Sequence, residues 1–194
     1  MPQPPNDLHR LVAEFHALPA DDDRRRAIVA ELGTDDTADD AAPFLASVVA
    51  DPHAYDLARV EAATILRLWP PSDPATARTA ARALLTALDD RDEDLVRQYA
   101  AAALGPYADD PAVHDALASL VLNAPKSEGE YDEDEDKDED EDPLVRHNAL
   151  AAIESAGPDD ARADILRALA PDPELGRAAT RVLTAWGNTP GPTA

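Results

Sequence analysis

The sequence contains no cysteine among its 194 residues, and glycine, aromatic and β-branched residues are scarce. Without cysteine there is no disulfide, no thiolate metal site and no cysteine nucleophile. Only ten valines and four isoleucines are present, so a β-sandwich or β-barrel is not expected. The seven glycines form no phosphate-binding loop or dinucleotide fingerprint. No apolar run is long enough to span a membrane and no secretory signal is visible, so we expect a cytoplasmic protein.

Positive charge is also scarce. The 17 lysines and arginines face 40 aspartates and glutamates, for a formal net charge of -23 at pH 7. Phosphates would be repelled over most of such a surface, which argues against a nucleic-acid-binding protein. The five histidines are scattered and none precedes a glutamate, which excludes the H-E-x-x-H zinc arrangement. We expect no cofactor, no metal and no enzymatic activity. The expected partner of a monomeric chain is another protein with a basic surface, and neither a nucleic acid nor a membrane.

Alanine and leucine dominate what is present, with 41 and 22 residues. Alanine is the best helix former, and its small side chain lets helices approach closely. The composition therefore predicts an all-α fold with no strand.

An arginine recurs along the chain, two residues after a leucine and three before a small residue, as in the segment LARVEA at 57–62. The arginines of this pattern are Arg59, Arg97, Arg146 and Arg177, and a weaker copy contains Arg25. Their intervals are those of helical repeats once an acidic insertion of about 16 residues is set aside. An amphipathic segment precedes each arginine-bearing one. We therefore predict five helix pairs, at residues 6–33, 40–69, 73–108, 111–156 and 158–187.

The segment DEDLVRQYAAAALG, residues 92–105, resembles the second helix of a HEAT repeat. The resemblance is carried by an aspartate-rich turn, a Val-Arg step, and alanines with an Ala-Leu step on one face. The segments DPLVRHNALAAI and DLARVEAATIL are similar to it more loosely, and in the last unit Gly176 replaces the usual valine. The resemblance implies an α-solenoid of about five antiparallel helix pairs within one domain, residues 1–194.

In HEAT repeats this arginine usually joins a ladder with aspartates in the turns of neighbouring repeats. The resemblance therefore implies a structural ladder of Arg59, Arg97, Arg146 and Arg177. The aspartates near enough in sequence to serve are Asp56, Asp94, Asp142 and Asp172. The alternative is a row that binds a ligand. We favour the ladder because the stability of a solenoid is a sum of interfaces between neighbouring repeats.

The resemblance also implies which side chains of the second helices point outward on the concave side. The partner-binding candidates among them are Glu61, Gln98, Tyr99, His147, Asn148 and Arg181. Tyr99 is the most conspicuous, since an exposed aromatic side chain is a suitable anchor for a partner. The alternative for Tyr99 is partial burial against the next repeat.

An acidic run, KSEGEYDEDEDKDEDED, occupies residues 126–142 and carries 12 carboxylates and two lysines. Charge of one sign at this density prevents collapse, so we expect a disordered insertion within the fourth repeat. It serves either as a solvated linker between two helices or as a segment that attracts a basic partner by its charge. A flexible tail is expected at 188–194.

The function that these observations favour is a noncatalytic scaffold or adaptor that binds a partner protein along the concave face of the solenoid. The alternative is an immunity-type inhibitor that blocks a basic nuclease toxin, with its acidic residues imitating nucleic acid.

Overall fold

A computed structural model describes residues 7–34, 38–123 and 142–187. These residues form ten α-helices and no β-strand, which confirms the predicted all-α class. The helices are α1 Asp7–Ala17, α2 Asp23–Leu32, α3 Ala38–Ala50, α4 Asp56–Leu68, α5 Pro74–Leu88, α6 Asp94–Ala103, α7 Pro111–Leu122, α8 Pro143–Ala156, α9 Asp160–Leu169 and α10 Gly176–Ala185. A short 3-10 turn, Gly105–Tyr107, follows α6. The acidic run, apart from its last residue, and the predicted tail lie outside the described residues.

Aspartate and proline set the starts of several helices. In each case an aspartate just before the helix accepts a hydrogen bond from a backbone amide of the first turn, which satisfies one of the unpaired donors there. These aspartates are Asp73 before α5, Asp110 before α7, Asp142 before α8 and Asp159 before α9. Proline then occupies the first position of α5, α7 and α8, where its missing N–H costs nothing.

The even-numbered helices form a row in which α4 packs against both α2 and α6, and α6 packs against α8. The odd-numbered helices pack against this row, as α3 does against α4 and α7 does against α8. Each of the five ranges predicted as repeats coincides with one odd-numbered and one even-numbered helix, although α3 begins at Ala38, two residues before its range. We call the even-numbered member of each pair its second helix.

Small residues fill the contacts within the row. Ala62, Ala100 and Ala149 are completely buried at corresponding places of α4, α6 and α8. After α6, a Cβ atom on Gly105 would lie 2.2 Å from Ser155 Oγ and 3.0 Å from the carbonyl oxygen of Ala152. A larger residue at that place would displace Ser155 Oγ, so the carboxyl-terminal ends of α6 and α8 approach closely.

The helices are 10 to 15 residues long. In the part of the chain that the structure describes, none of them is both long and apolar enough to cross a bilayer.

Candidate functional site

Three of the four predicted ladder arginines are buried, with at most 3% of their surface exposed. Each of them donates a hydrogen bond to a backbone carbonyl in the last turn of the first helix of its own pair. These bonds are Arg59 Nε to Val49 O at 3.3 Å, Arg97 Nε to Leu88 O at 3.1 Å, and Arg146 Nη2 to Val121 O at 2.9 Å. The last carbonyls of a helix lack partners within the helix and carry its negative dipole end, so a cation suits them.

Two of these guanidinium groups, those of Arg59 and Arg146, also reach carboxylates that precede the second helix of the following pair. Arg59 Nη2 lies 2.7 Å from Asp90 Oδ2, before α6. Arg146 Nη2 lies 2.8 Å from Asp172 Oδ2, and its Nη1 lies 2.8 Å from Glu174 Oε2, before α10. These arginines therefore connect successive helix pairs, and buried in this way they are not available to a ligand.

The predicted acidic partners are only partly those of the structure. Asp172 bridges to the preceding pair, whereas Asp56 and Asp94 lie 3.8 and 3.4 Å from the arginine one turn later in their own helix. Asp142 caps α8 and accepts a hydrogen bond from Gln98 Nε2 at 2.7 Å. Asp90, which the sequence argument missed, holds the bridging position before α6.

The fourth predicted member, Arg177, is not part of the row. It is exposed and makes no ion pair with any other residue that the structure describes. The buried residues of α10 match those of α4 only if Gly176 is aligned with Arg59, so Arg177 lies one position too far along the helix. A Cβ atom on Gly176 would lie 2.4 Å from the carbonyl oxygen of Ala170. In the last pair the backbone itself therefore occupies the space that the arginine side chain fills elsewhere.

A buried arginine that the sequence argument missed lies in α9. Arg162 donates from Nε to the Gly157 carbonyl at 2.9 Å and pairs through Nη1 with Asp109 Oδ1 at 3.0 Å. It also lies 3.4 Å from Asp159, three residues earlier. The same Asp-x-x-Arg spacing occurs at Asp56 and Arg59, and this spacing is the signal that could have revealed it.

Asp172 shows the electrostatic balance at such a bridge. Burial raises the pKa of its carboxyl group, but hydrogen bonds from the Leu175 and Glu174 amides and from Arg146 outweigh burial. The pKa of Asp172 is therefore lower than the usual value, and the carboxylate form is stabilised in the folded chain.

Four of the six partner-binding candidates form bonds between neighbouring helices. Gln98 is half-buried, and its backbone carbonyl oxygen accepts a hydrogen bond from Asn148 Nδ2 at 3.0 Å, which links α6 to α8. Glu61 Oε2 lies 3.3 Å from Arg26 Nε. Arg181 is exposed and lies 3.6 Å from Glu154. The Gln98 and Asn148 bonds link neighbouring helices of the row, whereas the exposed pairs of Glu61 and Arg181 add little to stability.

The other two candidates, Tyr99 and His147, are exposed on α6 and α8. His147 Nδ1 lies 2.8 Å from the Pro143 carbonyl oxygen and 3.7 Å from Glu174. Tyr99 keeps 42% of its surface exposed.

Large apolar side chains are exposed beside Tyr99, and none of them was among the predicted partner-binding residues. Leu95 lies one turn before Tyr99 and is 42% exposed, and Leu144 at the corresponding place of α8 is 56% exposed. Leu68 and Trp69 are exposed at the end of α4. Of the six exposed large apolar residues in the described ranges, only Leu122, at the end of α7, lies away from these three helices.

A cleft of about 440 Å³ crosses the same three helices. It is lined by Arg67, Leu68, Ala102, Pro106, Ala151 and Ser155. Ala102 follows Leu95 by seven residues and Ala151 follows Leu144 by seven, so each alanine lies on the same helix face as its leucine. The exposed leucines, Tyr99 and the cleft thus belong to one surface, which we call the α4–α6–α8 face.

Carboxylates surround the amino-terminal edge of this face, directly before Leu95. The pKa of Glu93 is raised, chiefly by the negative charge of Asp56 in α4, with burial and then Asp90 and Asp92 contributing. Arg59 opposes this effect, but the carboxylates outweigh it and the pKa stays raised, so the edge has a negative potential.

No group of three or more histidine or acidic side chains is arranged to hold a metal ion within residues 7–34, 38–123 and 142–187. No family model matches the chain, and neither a curated protein nor a solved structure is significantly similar to it. The case for a function therefore rests on the α4–α6–α8 face.

Proposed function

We propose that this chain is a noncatalytic α-solenoid of HEAT-like repeats that binds another protein through the α4–α6–α8 face. The observation that carries the proposal is the clustering of Leu68, Trp69, Leu95, Tyr99 and Leu144 on one surface of a chain with a net charge of -23. Clustered exposed apolar residues with a polar rim are typical of interaction sites, whereas isolated ones are common and need no explanation.

The solenoid part of the proposal is supported by how the pairs contact one another. The row of α2, α4, α6 and α8 is continuous, with each helix packed against the next. Arg59 and Arg146 each connect the first helix of their own pair to a carboxylate of the following pair. Interactions that are repeated between neighbours are what stabilises a quasi-one-dimensional repeat protein.

The binding part is supported by the chemistry of the face. Tyrosine and large apolar side chains dominate the energy of protein interfaces, and charged residues around them exclude water and tune specificity. The cleft beside Leu68 has small residues, Ala102 and Ala151, that leave room for a partner side chain.

Capture of the partner from native cells by matched variants tests the proposal. Leu95→Ser with Tyr99→Ser removes the centre of the face, and we expect recovery of the partner to fall at least about tenfold. Leu122→Ser is the control, because Leu122 is 44% exposed at the end of α7 and outside the face. Equal recovery with the double variant and the wild type would overturn the proposal.

The inhibitor remains a second candidate because of the carboxylates around Glu93, whose mutual repulsion suits a cationic surface. It predicts that the captured protein is a nuclease and that adding the chain abolishes its activity in proportion to binding. A captured protein with no nuclease activity would reject the inhibitor and leave the scaffold.

A further inference from the structure

The second helices α6 and α8 run in the same direction along the row. Gln98, in the first half of α6, contacts Asp142, which caps the start of α8, and Asn148 in the first half of α8. Gly105, after the end of α6, contacts Ala152 and Ser155 near the end of α8. Leu95 and Leu144, each the second residue of its helix, are therefore exposed side by side, one helix spacing apart.

This spacing matches the repeat of an amphipathic helix. Packed helices lie about 8–10 Å apart. Seven residues of an α-helix rise about 10.5 Å. A partner helix that crosses α6 and α8 can thus place an apolar side chain i on Leu95 and i+7 on Leu144, with i+3 or i+4 between them.

Carboxylates of this chain favour positive charge along one side of that partner helix. Asp92 and Glu93 lie three and two residues before Leu95, and neither carboxylate lies within ion-pair distance of a cation among the described residues, although Arg59 attracts Glu93 at longer range. Asp56 in α4 adds to the same negative region. On the opposite side of the face the cleft contains Arg67 and is otherwise lined by small or apolar residues and one serine. Cations of a partner are therefore favoured only toward the amino-terminal edge.

We propose that the α4–α6–α8 face takes a basic amphipathic helix of the partner, which lays its apolar side chains across Leu95, Tyr99 and Leu144 and its lysines or arginines along Asp92 and Glu93. This inference rests on the proposed function and specifies the chemistry of the partner. The charge pairs guide the approach and the orientation, and the leucine contacts supply most of the affinity.

Three synthetic peptides of about 18 residues, long enough to form helix, probe the inference with the full chain. The first has alanine as its background, leucines at i, i+4, i+7 and i+11, and lysines along one flank. The second replaces the lysines by glutamates. The third keeps the composition of the first but scatters the leucines around the helix. We expect the first to bind at least about tenfold more tightly than either of the others, measured by fluorescence anisotropy.

Variants of the chain then locate the binding. Leu95→Ser with Leu144→Ser should weaken the first peptide at least about tenfold, whereas Leu122→Ser should leave it unchanged. Asp92→Asn with Glu93→Gln should weaken it about threefold or more and flatten the dependence of affinity on salt. The control for the loss of two charges is Asp21→Asn with Asp160→Asn, since both carboxylates are exposed in other helix pairs.

Several results would overturn the inference. The first is that the basic peptide does not bind. The second is that the scattered or the acidic peptide binds as tightly as the basic one. The third is that the Asp21 and Asp160 control loses as much affinity as the Asp92 and Glu93 variant. The outcome for the proposed function is separate. If the natural partner still requires Leu95 and Tyr99 while the basic peptide does not bind, the face is correct and the partner chemistry is wrong. If the partner is also insensitive to the face, both proposals fail.

Discussion

Helices α8 and α10 are the second helices of successive pairs, but they contact the carboxyl-terminal end of the preceding helix in different ways. In α8 the buried Arg146 reaches Val121 O and the carboxylates of Asp172 and Glu174. In α10 the corresponding position is Gly176, and the Ala170 carbonyl approaches so closely that no side chain fits. A cation is used where another pair follows and supplies carboxylates, whereas close backbone packing suffices at the last described pair.

Loss of the Arg146 side chain should have the largest effect. Arg146→Ala leaves Asp172 nearly buried without its cation and leaves Val121 O without its donor. We expect a loss of about 3 kcal/mol or more in the free energy of unfolding, measured by urea denaturation followed by circular dichroism. Arg177→Ala is the matched control, because Arg177 is exposed, and it should change stability by less than about 0.5 kcal/mol. Equal losses in the two variants would mean that the arginine row does not hold the pairs together.

The partner carboxylate should show a smaller loss that depends on pH. Asp172→Asn weakens the bond to Arg146, and we expect a loss of about 1.5–3 kcal/mol at neutral pH. Because the folded pKa of Asp172 is lowered, its carboxylate adds stability above the unfolded value of about 3.9. That contribution is lost as pH falls through the folded pKa. The difference between variant and wild type should therefore shrink in acid, and a difference that is constant with pH would contradict the role of the charge.

For Gly176→Ala, the sign of the change in the free energy of unfolding distinguishes two effects. Gly176→Ala places a methyl group 2.4 Å from the Ala170 carbonyl oxygen, where only a backbone shift can make room. We expect a loss of about 1–2 kcal/mol, since the first residue of a helix can move slightly. Helix propensity alone would make the alanine variant more stable. Stabilisation, measured by the same urea titration, would show that the close approach at α10 is not a constraint.

The arginine row shows how far sequence patterns predict this fold. Helix class and the helix starts at Asp73, Asp110 and Asp142 follow from composition and capping, which are local properties. The burial of Arg59, Arg97 and Arg146 is expected from the Leu-x-Arg pattern that recurs along the sequence. The exposed position of Arg177 does not follow from this pattern. The register of α10 depends on how closely the preceding turn packs against it, and a Leu-x-Arg pattern contains no information on that distance.

The exposure of Leu95 and Leu144 also depends on packing between helix pairs, which the sequence pattern does not show. Leu57, Leu95 and Leu144 hold the same place in the pattern, but Leu57 is half-buried whereas Leu95 and Leu144 are exposed. An amphipathic period identifies which side of a helix is apolar. It does not show where a neighbouring pair stops covering that side, so the α4–α6–α8 face could not be predicted without the structure.

The smallest effect should come from Glu93, at the edge of the α4–α6–α8 face. Its pKa is raised by Asp56, with burial, Asp90 and Asp92 adding to the effect, so ionisation costs more in the folded chain than in the unfolded one. The stability that goes with the protonated form is present below the unfolded pKa of about 4.3 and is lost as pH rises through the folded value. Glu93→Gln removes that cost and should make the chain slightly more stable at neutral pH. The gain should disappear in acid and diminish with added salt.

A second glutamate shows whether that gain is specific to Glu93. The pKa of Glu14 is lowered, chiefly by the hydrogen bond from Arg24 Nε at 2.8 Å, so its carboxylate stabilises the fold. Glu14→Gln removes the same charge but should lower the thermal midpoint at neutral pH, whereas Glu93→Gln should raise it. If both variants raise the midpoint, relief of the overall charge of -23 dominates and the cluster around Glu93 is not special. If both lower it, the Glu93 carboxylate forms a stabilising contact, and the amino-terminal edge of the face is not the repulsive region that would favour a basic helix.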